Sequence, residues 1–157
     1  MIKNYIKKTI VGLLMLMLTF HAEAQISVPV IWNYSVKKTA AKTYELHIAA
    51  SINSGWKLYG QGVTTGFGPM TTLSFIQNPI ISFDGDVQEV GKMEKYYDKN
   101  FKTELRYYSN NVDFVQKIKV KTGVATVVKG KVNYVVCNDR SCLPAKDVPF
   151  AINVIGK

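Results

Sequence analysis

From Val28 onward, apolar and polar residues alternate, and that period of two limits the fold more than any other feature of the chain. In "TYELHIAASI" (43–52), Tyr44, Leu46, Ile48 and Ala50 share one side while Glu45 and His47 take the other. Side chains alternate across a strand in this way, so the segment reads as β with one face buried. The same reading covers "VPVIWNYSV" (28–36), "WKLYGQ" (56–61), "TTLSFIQ" (71–77), "IISFDGDVQEV" (80–90), "TELRYY" (103–108), "VDFVQKIKV" (112–120), "KVNYVVC" (131–137) and "DVPFAINV" (147–154). Asp84-Gly85 is a turn signal within the fifth of these. Asn110-Asn111, Thr122-Gly123 and Lys129-Gly130 supply turn chemistry between the others. Beyond the N-terminal segment, no run of ten residues has a convincing helical period. Short strands at this spacing predict an all-β domain, either a sandwich or a small barrel. An immunoglobulin-like β-sandwich fits the length best, although its usual cross-sheet Cys…Trp…Cys arrangement is missing.

The first 24 residues have a different character. Lys3, Lys7 and Lys8 precede an uncharged, mostly apolar run, Thr9 to Phe20, and Ala22-Glu23-Ala24 follows as a small-x-small site. This layout predicts a secretory signal peptide over 1–24, cleaved before Gln25. Its apolar run is twelve residues, short of the about 20 that a membrane span needs. The expected mature chain, 25–157, is a single exported domain, soluble and periplasmic. Export also permits a disulfide.

Charge excludes less than it suggests. The formal net charge is +9, and removing Lys3, Lys7, Lys8 and Glu23 leaves +7 on the mature chain. The lysines are dispersed. Lys117, Lys119 and Lys121 alternate with Ile118 and Val120, which is the wet face of a strand, with lysine discouraging edge pairing. No nucleic-acid footprint emerges.

The only two cysteines, Cys137 and Cys142, stand in "KVNYVVCNDRSCLPAKDVPF" (131–150). A structural zinc site needs four ligands. The mature chain offers these two thiols and His47, which its parity turns to solvent, so no metal is expected. A structural staple is the ordinary reading in an exported protein. A closed loop of about six residues, however, contributes only roughly 2 kcal/mol by chain entropy. The redox reading requires thiols that are close together and reachable. Val132, Tyr134 and Val136 share the apolar side, which places Cys137 outward at the strand end. Asn138-Asp139-Arg140-Ser141 forms a polar turn, and Pro144 limits the returning ladder. From spacing alone, working pair and inert clip remain equally open. Two further classes stay open as well. One is a sugar- or peptide-binding module that uses Trp56, Tyr59 and Phe67 beside an inert disulfide; the other is a structural or adhesive envelope domain.

"VNYVVCNDRSCLPAKDVPFAI" resembles the cysteine segment of the N-terminal periplasmic domain of the thiol:disulfide interchange protein DsbD, the disulfide-bond-corrector family. "GWKLYGQGV" is similar to that family's early aromatic segment, and "KMEKYYDKNFKTELRYY" to its cap-loop region. The resemblance covers most of residues 30 to 155. It implies an immunoglobulin-like fold and an electron relay between a membrane-embedded donor and periplasmic thioredoxin-fold proteins, without a cofactor. It implies that Cys137 and Cys142 form the working dithiol/disulfide, with Cys142 attacking. It further implies that Tyr96 lies over the disulfide, with Tyr97 beside it and Tyr59 near the same site. This chain has four residues between its cysteines where better-known members have five. Its cap segment reads Glu94, Lys95, Tyr96, Tyr97, Asp98, with one of the family's two adjacent acids. The sequence ends at Lys157, so the resemblance implies an electron donor on a separate chain.

Overall fold

The computed structural model describes residues 28–62, 68–121 and 123–154. The expected signal peptide (1–24) and Phe67 lie outside them. The described residues form eleven strands and no helix, so none of them makes a helix able to cross a membrane. In chain order the strands are β1 (Val30–Ala40), β2 (Thr43–Ile52), β3 (Lys57–Tyr59), β4 (Thr72–Phe75), β5 (Ile81–Gly91) and β6 (Glu94–Asp98). They continue with β7 (Thr103–Tyr108), β8 (Asn111–Val120), β9 (Thr126–Tyr134), β10 (Val136–Cys137) and β11 (Lys146–Val154).

Three antiparallel sheets result, ordered β1-β2-β8-β5, β10-β3-β7-β6 and β11-β9-β4. The alternation read in 43–52 is reproduced: Tyr44, Leu46, Ile48 and Ala50 are buried. They join Phe114 and Ile118 of β8, Val132 and Phe150 of the third sheet, and Leu58, Tyr108 and Val136 of the second in one core. The first sheet thus forms one layer and the other two form the layer facing it. Aromatic pairs cross between the layers. Trp32 meets Tyr134 edge-on at 5.3 Å, and Phe75 meets Phe83 at 4.8 Å. This is an immunoglobulin-like β-sandwich.

Four sequence expectations are corrected in detail. Asp84-Gly85 does not end a strand. It makes a bulge within β5, where the register with β8 shifts between Asp84 and Gln88. Gly85 takes the left-handed φ of 73° that such a bulge favours. The buried amide of Gln116 donates to the Gly85 carbonyl at 3.1 Å. Lys129-Gly130 is not a turn either: Gly130 lies inside β9, paired with Phe75 on one side and Phe150 on the other. Glycine is there for space. A Cβ at this position would sit 2.4 Å from the Ser74 carbonyl oxygen and 2.5 Å from the Phe150 ring. The lysines of 117–121 do not guard an edge, because β8 is interior to its sheet. One of them, Lys119, pairs with Asp84 of β5 at 3.0 Å. Finally, the segment 94–98, read only as a cap-loop region, is strand β6.

Gly130→Ala is expected to destabilise the domain by about 1–3 kcal/mol through overpacking, read as a lowered midpoint in denaturant with an unchanged slope. A change below about 0.5 kcal/mol, the range of ordinary surface substitutions, would show that β4 and Phe150 yield freely.

Candidate functional site

The cysteines lie in the link between β9 and β11, which pair as the long arms of a hairpin from Lys146↔Tyr134 onward. The link does not simply turn back. After Tyr134 the chain leaves β9 at Val135 and enters β10, which pairs with β3 through Val136↔Leu58 and Cys137↔Lys57. The cysteine turn is built by Asn138. Its side-chain oxygen accepts from the backbone N–H groups of Arg140 at 2.9 Å and Ser141 at 2.8 Å. Its own N–H donates to the Ser141 carbonyl at 2.9 Å. Asn favours this local closure because its short amide can take the place of a backbone acceptor. Leu143 N–H returns to the Val136 carbonyl, so Cys137 and Cys142 face each other as a one-residue antiparallel bridge. Their sulfurs are bonded at 1.97 Å, with the Cα atoms 3.9 Å apart.

The two halves of this disulfide differ in exposure. Cys142 is exposed, whereas Cys137 is 4% exposed. Strand parity is as the sequence implied: Val136 enters the main core and Cys137 lies on the other face. The inference that an outward face is a wet one is corrected. That face of the second sheet carries its own apolar cluster, in which Cys137 packs with Tyr59 and Leu105, flanked by Tyr107 and Val135.

Pairing shows how the cluster is assembled. Cys137 is opposite Lys57, Tyr59 is opposite Tyr107, Glu94 is opposite Tyr107 from the far side, and Tyr96 is opposite Leu105. Cross-strand partners share a face. Cys137, Lys57, Tyr59, Leu105, Tyr107 and Tyr96 therefore form one surface across all four strands of the sheet. The Tyr59 and Tyr96 hydroxyls are hydrogen-bonded at 3.3 Å, and the Tyr96 and Tyr107 rings meet edge-on at 5.6 Å. Burial, followed by the bond to Tyr59, raises the Tyr96 phenol well above its ordinary pKa. Burial and Glu94, which accepts from the Tyr107 hydroxyl at 3.3 Å, raise that of Tyr107. Both rings stay neutral at physiological pH.

The sequence-derived cap residues separate accordingly. Tyr59 packs directly with Cys137, and Tyr96 reaches that cluster through the Tyr59 hydroxyl. Tyr97 has the opposite parity in β6, is 65% exposed and takes no part in the cluster. Trp56 packs against the main core and Tyr59 is buried, so they do not form an exposed aromatic platform of the kind a sugar-binding module would need. His47 lies on the first sheet, 24% exposed, with Nδ1 2.7 Å from Asp113 Oδ2. It is thus partly buried and partnered, where its parity suggested open solvent. The described residues contain no cluster of three or more potential metal ligands.

Two charged residues that sequence reading passed over complete the site. Lys57 Nζ donates to Asp139 Oδ1 at 2.7 Å and stands 5.5 Å from the centre of the Tyr107 ring. The bond to Asp139 raises the Lys57 pKa, and the bond from Lys57 holds the Asp139 carboxyl below the ordinary range. Lys57 alternates with Leu58 in "WKLYGQ" like any wet-face lysine, and nothing local marks it. Only the β3–β10 pairing brings it opposite a cysteine.

The molecule is thus an all-β sandwich with one disulfide, whose Cys142 is exposed and whose Cys137 is buried beside Tyr59 and Leu105. A family model described as thiol:disulfide interchange protein DsbD, N-terminal, matches residues 22–152, and the chain belongs to this family. No curated protein matches it. Among solved structures, the N-terminal periplasmic domain of ScsB from Proteus mirabilis is similar, with a TM-score of 0.54 and 15% identity. That alignment covers 82% of this chain and 47% of the ScsB chain, so the similarity spans about half of that protein's length. The reduced DsbD N-terminal domain from Neisseria meningitidis aligns at a TM-score of 0.47 and 17% identity, over 82% of this chain and 87% of that one.

The Asp139 carboxyl is favoured as its anion in the folded state. The stabilisation from its pair with Lys57 is present above the ordinary carboxylate pKa of about 4 and lost as pH falls through the lowered folded value. Asp139→Asn should therefore lose less stability than wild type between about pH 5 and pH 2, measured by thermal unfolding. The difference should be small, because the carboxylate is exposed. Superimposable acid profiles would show that the pair carries no linkage.

Proposed function

We propose that the mature chain is a periplasmic thiol–disulfide exchange protein. It relays reducing equivalents from a membrane-embedded donor to thioredoxin-fold partners, through Cys137 and Cys142. Membership of the family supports this reading. The observation that carries it is the asymmetry of the disulfide: an incoming thiolate can reach the exposed Cys142, while Cys137 is enclosed.

Exchange proceeds by in-line attack of a thiolate on a disulfide sulfur. A donor thiolate attacks Cys142 Sγ, the Cys137–Cys142 bond breaks, and its electron pair departs on Cys137 Sγ. The donor's second thiolate then attacks the donor sulfur of the mixed disulfide. This oxidises the donor and leaves a dithiol here. In the forward half, the Cys142 thiolate attacks a partner disulfide, and Cys137 attacks Cys142 to release the reduced partner. Two electrons pass in each half, with no metal or organic cofactor. Tyr59 and Tyr96 act as the shield, walling the Cys137 side off from small thiols and oxidants. Tyr97 belongs to the cap through its strand and not through contact with sulfur.

Cys137→Ser is expected to trap a mixed disulfide with an oxidised thioredoxin-fold oxidoreductase through Cys142, visible as a reductant-sensitive adduct. Cys142→Ser should trap several-fold less. Equal trapping, or none by either variant, would contradict the assignment. In the wild type, Tyr96→Ala should speed reduction by dithiothreitol several-fold while Tyr97→Ala leaves it unchanged. Equal effects from both would remove Tyr96 from the shield.

A further inference from the structure

We infer that Lys57 is a positioning residue of the exchange reaction: its ammonium stabilises the Cys137 thiolate, and Asp139 holds it in place while the disulfide is closed. This inference rests on the relay reading above and adds the electrostatic partner that such chemistry requires.

The position of Cys137 sets the electrostatic requirement. In either direction of exchange through Cys142, Cys137 must carry a negative charge, first as the leaving group and later as the resolving nucleophile. Its surroundings oppose that. A thiol at 4% exposure among Tyr59, Leu105, Tyr107 and Val135 is disfavoured as an anion by desolvation. A nearby cation is the usual way such a thiol is made reactive.

Charged and titratable groups face Cys137 from three strands and its own turn. From β3 come Lys57 and Tyr59, and from β7 comes Tyr107. Beyond them on β6 lie Glu94, Tyr96 and Asp98, and the cysteine turn adds Asp139 and the exposed Arg140. Tyr96 and Tyr107 keep their protons. Glu94 is occupied, accepting from the Tyr107 hydroxyl at 3.3 Å and from the Ser109 hydroxyl at 2.7 Å. Asp98 accepts from the backbone N–H groups of Asn100 and Phe101. Lys57 is the cation placed directly across the ladder from Cys137, where side chains of an antiparallel pair stand about 5 Å apart at Cβ.

Asp139 gives this arrangement two states. With the disulfide closed there is no anion at sulfur, and Lys57 bonds Asp139 at 2.7 Å. Asp139 sits two residues after Cys137, in the same turn, and its side chain is 85% exposed. Water can solvate it when Lys57 turns to the thiolate, so the exchange of partners costs little. With the disulfide closed, the Asp139 bond raises the Lys57 pKa; once Lys57 turns, the opposite charge of the thiolate favours the ammonium in the same way. A lower leaving-group pKa speeds departure in disulfide exchange.

The test uses the reduced Cys142→Ser protein, in which Cys137 is the sole thiol, with its pKa read from the pH dependence of iodoacetamide alkylation. Adding Lys57→Met should raise the Cys137 pKa and slow alkylation at pH 7 by roughly tenfold, equivalent to one pKa unit. Lys57→Arg should restore the parent behaviour, and Asp139→Asn should shift the pKa the opposite way, downward. A general loosening of the fold would move the Met and Asn variants in the same direction, so opposed shifts exclude it. A Cys137 pKa unchanged by Lys57→Met, or raised by Asp139→Asn, would overturn the inference. No redox partner takes part in this readout. Failure of the mixed-disulfide experiment with an intact Lys57 effect would sink the relay alone, and the converse would sink only Lys57's role.

Discussion

Between Tyr134 and Val136 the chain leaves one sheet and joins another. Val135 is the single residue of that passage, and the site depends on it. If β9 had continued straight into a tight turn, both cysteines would lie at a hairpin tip in water. Instead β10 pairs with β3. Val136 is drawn into the main core, and Cys137 is set among the tyrosines on the opposite face. The sandwich core provides the rigid frame for this crossing, since Tyr134 and Val136 are both buried in it. The cysteine turn, closed by Asn138, then leaves Cys142 outside.

That geometry makes the two halves of the disulfide unlike, with Cys137 buried and Cys142 exposed. A clip across so short a loop contributes only about 2 kcal/mol to a domain whose core already spans two layers. The energetic content of the site is concentrated elsewhere, in desolvation of one sulfur and in the charges and phenols around it. Tyrosines that remain neutral exclude water without adding charge. Lys57 and Asp139 add charge at the rim, where it can be rearranged.

Much of the architecture was legible because it follows from local rules. β2 and β7 begin and end where alternation and turn residues place them, and the inward set of β9 and β10 was readable from Val132, Tyr134 and Val136. The errors share a physical cause. Gly130 carries turn chemistry in isolation, yet here it makes room for Ser74 and Phe150 from two neighbouring strands. Asp84-Gly85 could have been a turn or a bulge, and only pairing with β8 decides between them. Parity placed Cys137 on the outer face but could not reveal that Tyr59, Leu105 and Tyr107 cover that face, since they come from strands distant in sequence. Tyr96 and Tyr97 are adjacent and equivalent as text, and register alone separates the one bonded to Tyr59 from the one turned away. Lys57 was invisible for the same reason.

On the relay reading, the Cys137–Cys142 bond is made to be broken. Its reduction potential, measured by equilibration of the mature protein with glutathione or dithiothreitol buffers at pH 7, tests this most directly. Working dithiol pairs fall at about −120 to −270 mV, and the Cys137–Cys142 pair should lie in that interval. A potential well below about −300 mV, where structural disulfides of exported proteins lie, would contradict it and return the pair to the role of a clip.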